Sequence, residues 1–400
     1  MRAEQQLKTF LKILEEYPAN TPLTKFLPGF FKKNKQMGST DRRMASRLLY
    51  NYFRIGKAVA DQTIENRLFI AEFLCNESDN AFLSHFRQDL NEKITEPTAD
   101  KVKFLEETEN FNLTDVFPFT KHLSTELDKE EFLRSFFTQP DLYIRVIKGK
   151  EEEVKTQLSK AGIPFKEVND SLSLALPNGT NLNQIFPENL VASPYRKLQV
   201  RPYVVQDLSS QQTATYFNPN RYDSWWDACA ASGGKSLLLH SLEPDIKLVV
   251  SDIRESVLNN LDERFIQAGL RTYQKKIIDL THNADPELSS YTFDGIILDT
   301  PCTGSGTWGR TPEMISQFEE YNVQSFQNLQ KKIAVNTVKY LKAGKPLIYI
   351  TCSVFKEENE EMVDFIVKEL GFQLESMEYI KGYERKADTM FVARLSPTAS

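Results

Sequence analysis

Residues 227–236 read Asp227-Ala228-Cys229-Ala230-Ala231-Ser232-Gly233-Gly234-Lys235-Ser236, or DACAASGGKS. The ending Gly-Gly-Lys-Ser looks like a phosphate-binding loop. That loop needs a glycine four residues before its Gly-Lys-Ser/Thr, so that backbone amides can fold around phosphate oxygens. Here the position holds Cys229, and a Cβ obstructs the fold. The triphosphate reading is therefore set aside. What remains is a glycine turn between an apolar run and a helical stretch. Working outward, SWWDACA, KLVVSDI, KKIIDL, FDGIILDT and KPLIYITCS are apolar runs alternating with helical segments from about residue 200 onward. That alternation predicts an α/β domain with a mostly parallel sheet covered by helices on both faces. GFQLESMEYI and MFVARL have no obvious helix between them and predict an antiparallel closing hairpin, which makes a mixed, mostly parallel, seven-stranded sheet.

In an open parallel sheet, ligands bind beyond the carboxyl ends of the strands. Asp227 to Lys235 follow the first strand, Asp252 ends the second and Asp279 the third. Asp299-Thr300-Pro301-Cys302 ends the fourth, and Thr351-Cys352-Ser353 the fifth. An acid about 20 residues past a glycine turn is suited to ribose hydroxyls, and Asp252 lies 23 residues past Cys229. One aspartate at a strand end is most often a helix cap. Three beside a glycine turn point to a ribose-bearing cofactor, with NAD and S-adenosylmethionine both open at this point. Gly304, Gly306 and Gly309 spell a second glycine pattern, G-x-G-x-x-G. It follows the fourth strand instead of the first, and the position where an acid belongs holds Gln324, so it reads as a loop beside a site.

Of the four cysteines, Cys75 reads as a small core hydrophobe. Cys302 and Cys352 sit just past strand ends, where side chains face a cleft, and two thiols there suggest covalent chemistry. One reaction needs this combination. Carbon 5 of cytosine is too poor a nucleophile to take a methyl group directly. Thiolate attack on carbon 6 makes the ring enamine-like, after which a second group must remove the carbon 5 proton. An acid near ring nitrogen 3 offsets the developing charge. Asp299, Cys302 and Cys352 are the residue types required.

At 400 residues, and about 150 per domain, two or three domains are expected. Leu7, Phe10, Leu11 and Leu14 mark an amphipathic helix, and Gly38-Ser39-Thr40-Asp41 offers cap residues for a second one striped by Met44, Leu48, Leu49, Tyr52 and Phe53. An all-helical domain over 1–135 is expected. A β-α-β-β order then predicts a small ferredoxin-like or RRM-like module over 136–197, without the stacking aromatics of a full RRM. The remainder, 198–400, is the α/β domain. Net charge is −6, but residues 1–60 hold twelve basic and four acidic residues, a local +8 that can attract a polyanion. No apolar run is long enough for a membrane span. The N-terminus lacks the pattern of a signal peptide. No cysteine forms a C-x-x-C pair, so neither zinc nor a disulfide framework is expected. A monomer in a reducing cytoplasm is expected.

Taken in order, these motifs resemble the RNA 5-methylcytosine methyltransferases of the Nop/Sun type, and among bacteria the RsmB-like group acting on 16S ribosomal RNA. The family writes D-x-C-A-A-P-G-G-K-T, D-A-P-C-S-G-T-G and T-C-S followed by E-E-N-E. This chain has DACAASGGKS, DTPCTGSG and TCSVFKEENEE, and VQDLSSQ at 205–211 looks like the family's lead-in. The resemblance implies a class I Rossmann-like methyltransferase domain using S-adenosylmethionine. It makes Cys352 the nucleophile and Cys302 the residue assisting product release. It puts the cofactor on Cys229, Ala230, Ala231, Ser232, Gly233, Gly234, Lys235, Asp252, Asp279 and Asp299. It also likens the helical N-terminus to a NusB-like RNA-binding domain. Ser232 and Ser236 depart from the motif's proline and threonine, AGKP at 343–346 from its P-G-G, and WGRTPE at 308–313 keeps one arginine, Arg310. The expected partner is RNA, ribosomal ahead of transfer RNA, and not DNA, because the Thr-Cys-Ser strand end adds a second cysteine. A non-catalytic assembly factor is the competing reading, though a binding module has no use for both cysteines.

Overall fold

The chain divides into two units in a computed structural model that describes residues 2–19, 21–168, 172–187 and 200–398. One unit is helical; it runs to Gln139 and takes in Thr307–Glu320. The other comprises Pro140–Gly306 and Tyr321–Ser400. The small β module expected as a separate domain therefore shares a unit with the large sheet, and a short piece of the C-terminal half belongs with the helices.

In the helical unit, the first amphipathic pattern becomes Arg2–Glu16, burying Phe10 and Ile13. Leu48, Leu49, Tyr52 and Phe53 line the buried face of Ser39–Arg54 as the stripe predicts. Two corrections apply here. That helix is the third, since Leu23–Lys33 precedes it with Pro28 inside. Its N-cap is Gly38, and no side chain closes the cap. Residues 307–320 complete this core. Trp308 is buried, with ring centroids 5.5 Å from Phe117 and 4.9 Å from Phe318. The buried Glu313 carboxylate accepts the Leu23 N–H at 3.0 Å.

In the other unit, strands β1 (Leu142–Val146), β2 (Lys166–Val168), β3 (Ser173–Leu176) and β4 (Tyr203–Val205) form an antiparallel sheet in the order β2-β3-β1-β4. That order is ferredoxin-like. The fourth strand was not anticipated: it lies past 197, in the lead-in to the large sheet, so the expected boundary at 197/198 cuts the module. The boundary itself lies outside the described residues.

The second sheet is β5 (Ser224–Asp227), β6 (Lys247–Asp252), β7 (Gln274–Ile277), β8 (Gly295–Asp299), β9 (Leu347–Thr351), β10 (Phe372–Ile380) and β11 (Met390–Pro397). Its order is β10-β11-β9-β8-β5-β6-β7. The five strands β5 to β9 run parallel, and the β10–β11 hairpin is antiparallel, with β11 against β9. This is the Rossmann-like arrangement expected of a methyltransferase domain. From β5 the chain first builds outward through β6 and β7, then crosses to β8 and β9 on the opposite side. The order reverses between β5 and β8, the crevice where open α/β sheets hold ligands. Among the described residues, no helix is long and apolar enough to cross a membrane.

Candidate functional site

The turn after β5 has the shape anticipated for a cofactor. Ala231 (φ +45°) and Gly233 (φ +79°) are both left-handed. A Cβ on Gly233 would stand 2.3 Å from the Phe265 ring, so glycine is required twice over. The Gly233 N–H bonds the Ala230 carbonyl at 2.7 Å, and the helix Gly234–Leu242 starts directly behind it. Ser232, where proline is usual in the motif, is held another way. Arg264 donates to its carbonyl at 3.0 Å and to its hydroxyl, and also reaches the Val205 carbonyl at 3.1 Å. Burial pulls the Arg264 pKa down. On the other side Arg145 of β1 donates to Gln206 at 3.1 Å, and Gln206 donates to the Gly234 carbonyl at 3.2 Å. Burial, and secondarily Arg264, lowers Arg145 to about 10.

The strand-tip acids divide by task. Lys235 and Asp299 pair at 2.9 Å across the gap between β5 and β8, so the crevice is bridged by the turn's own lysine. Asp252 accepts the Ala231 N–H at 3.1 Å, the Arg254 N–H at 2.9 Å and the Arg254 guanidinium at 3.0 and 3.1 Å. Burial works against its charge, but the Arg254 bonds prevail and lower its pKa. Asp279 stands two residues past β7, and its carboxylate caps its own turn. The Thr281 N–H at 2.9 Å and hydroxyl at 2.7 Å lower its pKa. Asp279 is near Asp252, whose carbonyl takes the Ile278 N–H at 3.3 Å. It is three strands from β8 in the sheet, so it is not gathered with the cysteines.

The cysteines meet. Cys302 and Cys352, past the tips of adjacent β8 and β9, have their sulfurs 3.4 Å apart. The hydrogen bond with Cys352, then burial, raises the Cys302 thiol well above its usual value. Cys229 is also raised, by burial first and then by Asp227, Asp252 and Asp299, and stays a protonated lining group. Cys75 ends a helix in the other unit, where burial pushes its thiol up to about 12. The second glycine pattern has a structural use: a Cβ on Gly306 would come within 2.1 Å of the Thr389 carbonyl. The Gly306 N–H donates to the Cys352 carbonyl at 2.9 Å, and its carbonyl accepts from Thr389 at 2.9 Å.

Several residues around the candidate site were given no individual role by the sequence reading. Asp227 is fully buried, with Oδ2 accepting from Ser236 at 2.6 Å and Oδ1 without a partner. Burial raises it to about 7. Glu358 and Asn359 lie in the quoted EENEE run. Only their complete burial marks them, and no local pattern signals that. Arg264 and Arg145 carry no motif at all.

Residues 214–400 match the family model of 16S rRNA methyltransferases RsmB/F. Ribosomal RNA small subunit methyltransferase B of Shewanella oneidensis is 28% identical over 257 residues, covering 62% of this chain and 56% of its own length. The protein of the same description from Escherichia coli O6:H1 is 24% identical over 323 residues, covering 78% and 69%. The chain thus spans about half the length of the first curated relatives, 56% and 50%. Among solved structures, that of PH0851 has a TM-score of 0.69 at 20% identity, covering 96% of each chain. NSun6 from Pyrococcus horikoshii with SFG has a TM-score of 0.57 at 17% identity, covering 70% of this chain and all of its own. At such identities the structural likeness is one of fold.

Proposed function

Because residues 214–400 match the RsmB/F methyltransferase family model, we propose that this chain methylates carbon 5 of a cytosine in structured RNA, with 16S ribosomal RNA the foremost candidate. The observation that carries this reading is the pair of sulfurs 3.4 Å apart on adjacent strand tips, beside a cofactor-type turn. S-adenosylmethionine fits that turn: its backbone is left-handed at Ala231 and Gly233, and one buried carboxylate oxygen of Asp227 faces no donor. A neighbour of the same fold was solved with SFG, an analogue of this cofactor. Cys229 to Lys235, Asp252, Asp279 and Asp299 would hold it, Asp252 being the acid suited to ribose hydroxyls. Its chemistry there is to supply a methyl group on a sulfonium.

The residues of the chain do the rest. Cys352 acts as the nucleophile and Cys302 as the residue that assists release; the two sulfurs are in contact at 3.4 Å, and that contact and burial raise the Cys302 thiol. Cys352 gives up its thiol proton to solvent, its sulfur bonds carbon 6, and the Lys235–Asp299 pair offsets charge on the ring. With the methyl group on carbon 5, Cys302 passes its own proton to solvent and as thiolate takes the carbon 5 proton; the freed electron pair re-forms the carbon 5–carbon 6 double bond and expels the Cys352 sulfur as thiolate. The target cytosine must be unpaired or flipped, since a stacked ring hides carbon 6. The helical unit would add electrostatic attraction through exposed Lys32, Lys33, Lys35 and Arg43.

The test is transfer of tritiated methyl from S-adenosylmethionine to RNA from a deletion strain. Cys352→Ala is expected to abolish transfer while cofactor binding persists. Cys302→Ala is expected to accumulate a protein–RNA adduct on a denaturing gel. Full transfer by Cys352→Ala would overturn the reading, and no transfer by the intact chain would favour an assembly factor acting by occupancy.

A further inference from the structure

Beyond their backbone pairing in the sheet, the two cysteine-bearing loops share one buried acceptor. Glu358 is fully buried, two residues before the helix Glu360–Leu370. Its Oε1 accepts the Thr303 N–H at 2.9 Å and the Gln330 amide at 3.1 Å. Its Oε2 accepts the Thr303 hydroxyl at 2.6 Å and the Ser353 hydroxyl. Thr303 directly follows Cys302, and Ser353 directly follows Cys352. The β8–β9 ladder ends at Asp299 opposite Ile350, before either cysteine. Past it, the Thr300 N–H reaches the Ile350 carbonyl at 3.1 Å, and Gly306 reaches Cys352. Of the two loops' side chains, the hydroxyls of Thr303, Ser305 and Ser353 touch one another at 3.1–3.3 Å, and two of the three converge on Glu358. A carboxylate offers about four acceptor sites, and four donors fill them.

We propose that Glu358 is a positioning residue for the two-cysteine reaction: a buried clamp that sets the distance between the Cys302 and Cys352 sulfurs. It touches neither substrate nor cofactor in this role, and the proposal rests on the functional reading above. The clamp needs a link to both loops more than it needs a charge. A glutamine at 358 keeps both links, because its NH2 can donate to the two hydroxyls while its oxygen serves Thr303 N–H and Gln330. An alanine loses both.

The experiment compares variants in the Cys302→Ala background, where the adduct accumulates. Glu358→Ala is expected to slow adduct formation about a hundredfold, the scale of an ångström-sized misplacement, with RNA and S-adenosylmethionine affinities unchanged. Glu358→Gln is expected to restore most of the rate. In chains with both cysteines, diamide takes two electrons and two protons from the thiols and closes a disulfide, and Glu358→Ala is expected to slow that closure without any RNA present. If Glu358→Ala does not fold, Thr303→Val with Ser353→Ala severs the same links and leaves the glutamate in place. Adduct formation within about twofold of the parent in whichever of these variants folds overturns the clamp. Absence of any adduct in the Cys302→Ala parent overturns the methylation reading instead.

Discussion

Arg264 donates to both the carbonyl and the hydroxyl of Ser232, so a side chain from a neighbouring helix fixes the turn where the family's motif uses a proline ring. Hydrogen bonds from a charged donor contribute about 1.5–3 kcal/mol. Arg264→Ala is therefore expected to weaken S-adenosylmethionine by about ten- to a hundredfold. Ser232→Pro added to it is expected to recover much of that, since proline cuts the freedom of the unbound turn. Isothermal titration of the three chains checks this; an unchanged affinity in Arg264→Ala would remove the arginine from the account.

Gly306 gives a second expectation. Its missing Cβ leaves room for the Thr389 carbonyl, which would otherwise be 2.1 Å away. Gly306→Ala must shift the backbone that bonds Cys352. Adduct formation in the Cys302→Ala background is expected to fall by an order of magnitude or more, on the order of other ångström-scale displacements, while cofactor affinity holds. Equal loss of both would mean the whole unit had been disturbed.

Asp227 sets a pH dependence. Burial raises its pKa from 3.8 unfolded to about 7 folded. The folded state then binds more protons than the unfolded one between those values, so this group makes stability fall as pH rises across that window, and the penalty is complete above about 7. Asp227→Asn is expected to raise the Tm at pH 8, leave it nearly unchanged at pH 4, and flatten the slope between. A Tm at pH 8 below that of the parent would show that the carboxylate charge stabilises the fold.

For the helical unit, replacing Lys32, Lys33, Lys35 and Arg43 by alanine is expected to weaken RNA binding and lessen its salt dependence. Each lost contact to single-stranded phosphate lowers the slope of log K against log salt by about 0.7. Filter binding between low and moderate salt measures it, and an unchanged slope would leave RNA contact to the other unit alone.

The large sheet was legible because β5, β6, β8 and β9 are buried on both faces and read as unbroken apolar runs between helices. The motif cysteines were legible because strand tips are where such sheets expose side chains. The three-residue strand β4 was hidden, since its pairing with β1 spans some sixty residues and its own sequence reads as a connector. Leu23–Lys33 was hidden by Pro28-Gly29, which locally signals a break. Glu358 was hidden by its company: within EENEE it looks like a solvated charge run, and only the packing of Thr303, Ser353 and Gln330 around it reveals otherwise. Arg264 compensates for a residue 32 positions away, a relation that no local pattern contains.

The excursion Thr307–Glu320 bears on how this gene can be cut. A deletion ending anywhere between 139 and 306 would remove the helices but not their last segment, baring Trp308 and Phe318 without the rings that cover them. Such a fragment would be prone to aggregate, and its failure to bind RNA would say nothing about RNA. The helical unit is built from two separate stretches of gene, so its loss or exchange in evolution would need two coordinated events. A working minimal fragment would have to replace 307–320 with a short linker from Gly306 to Tyr321, starting four residues after Cys302.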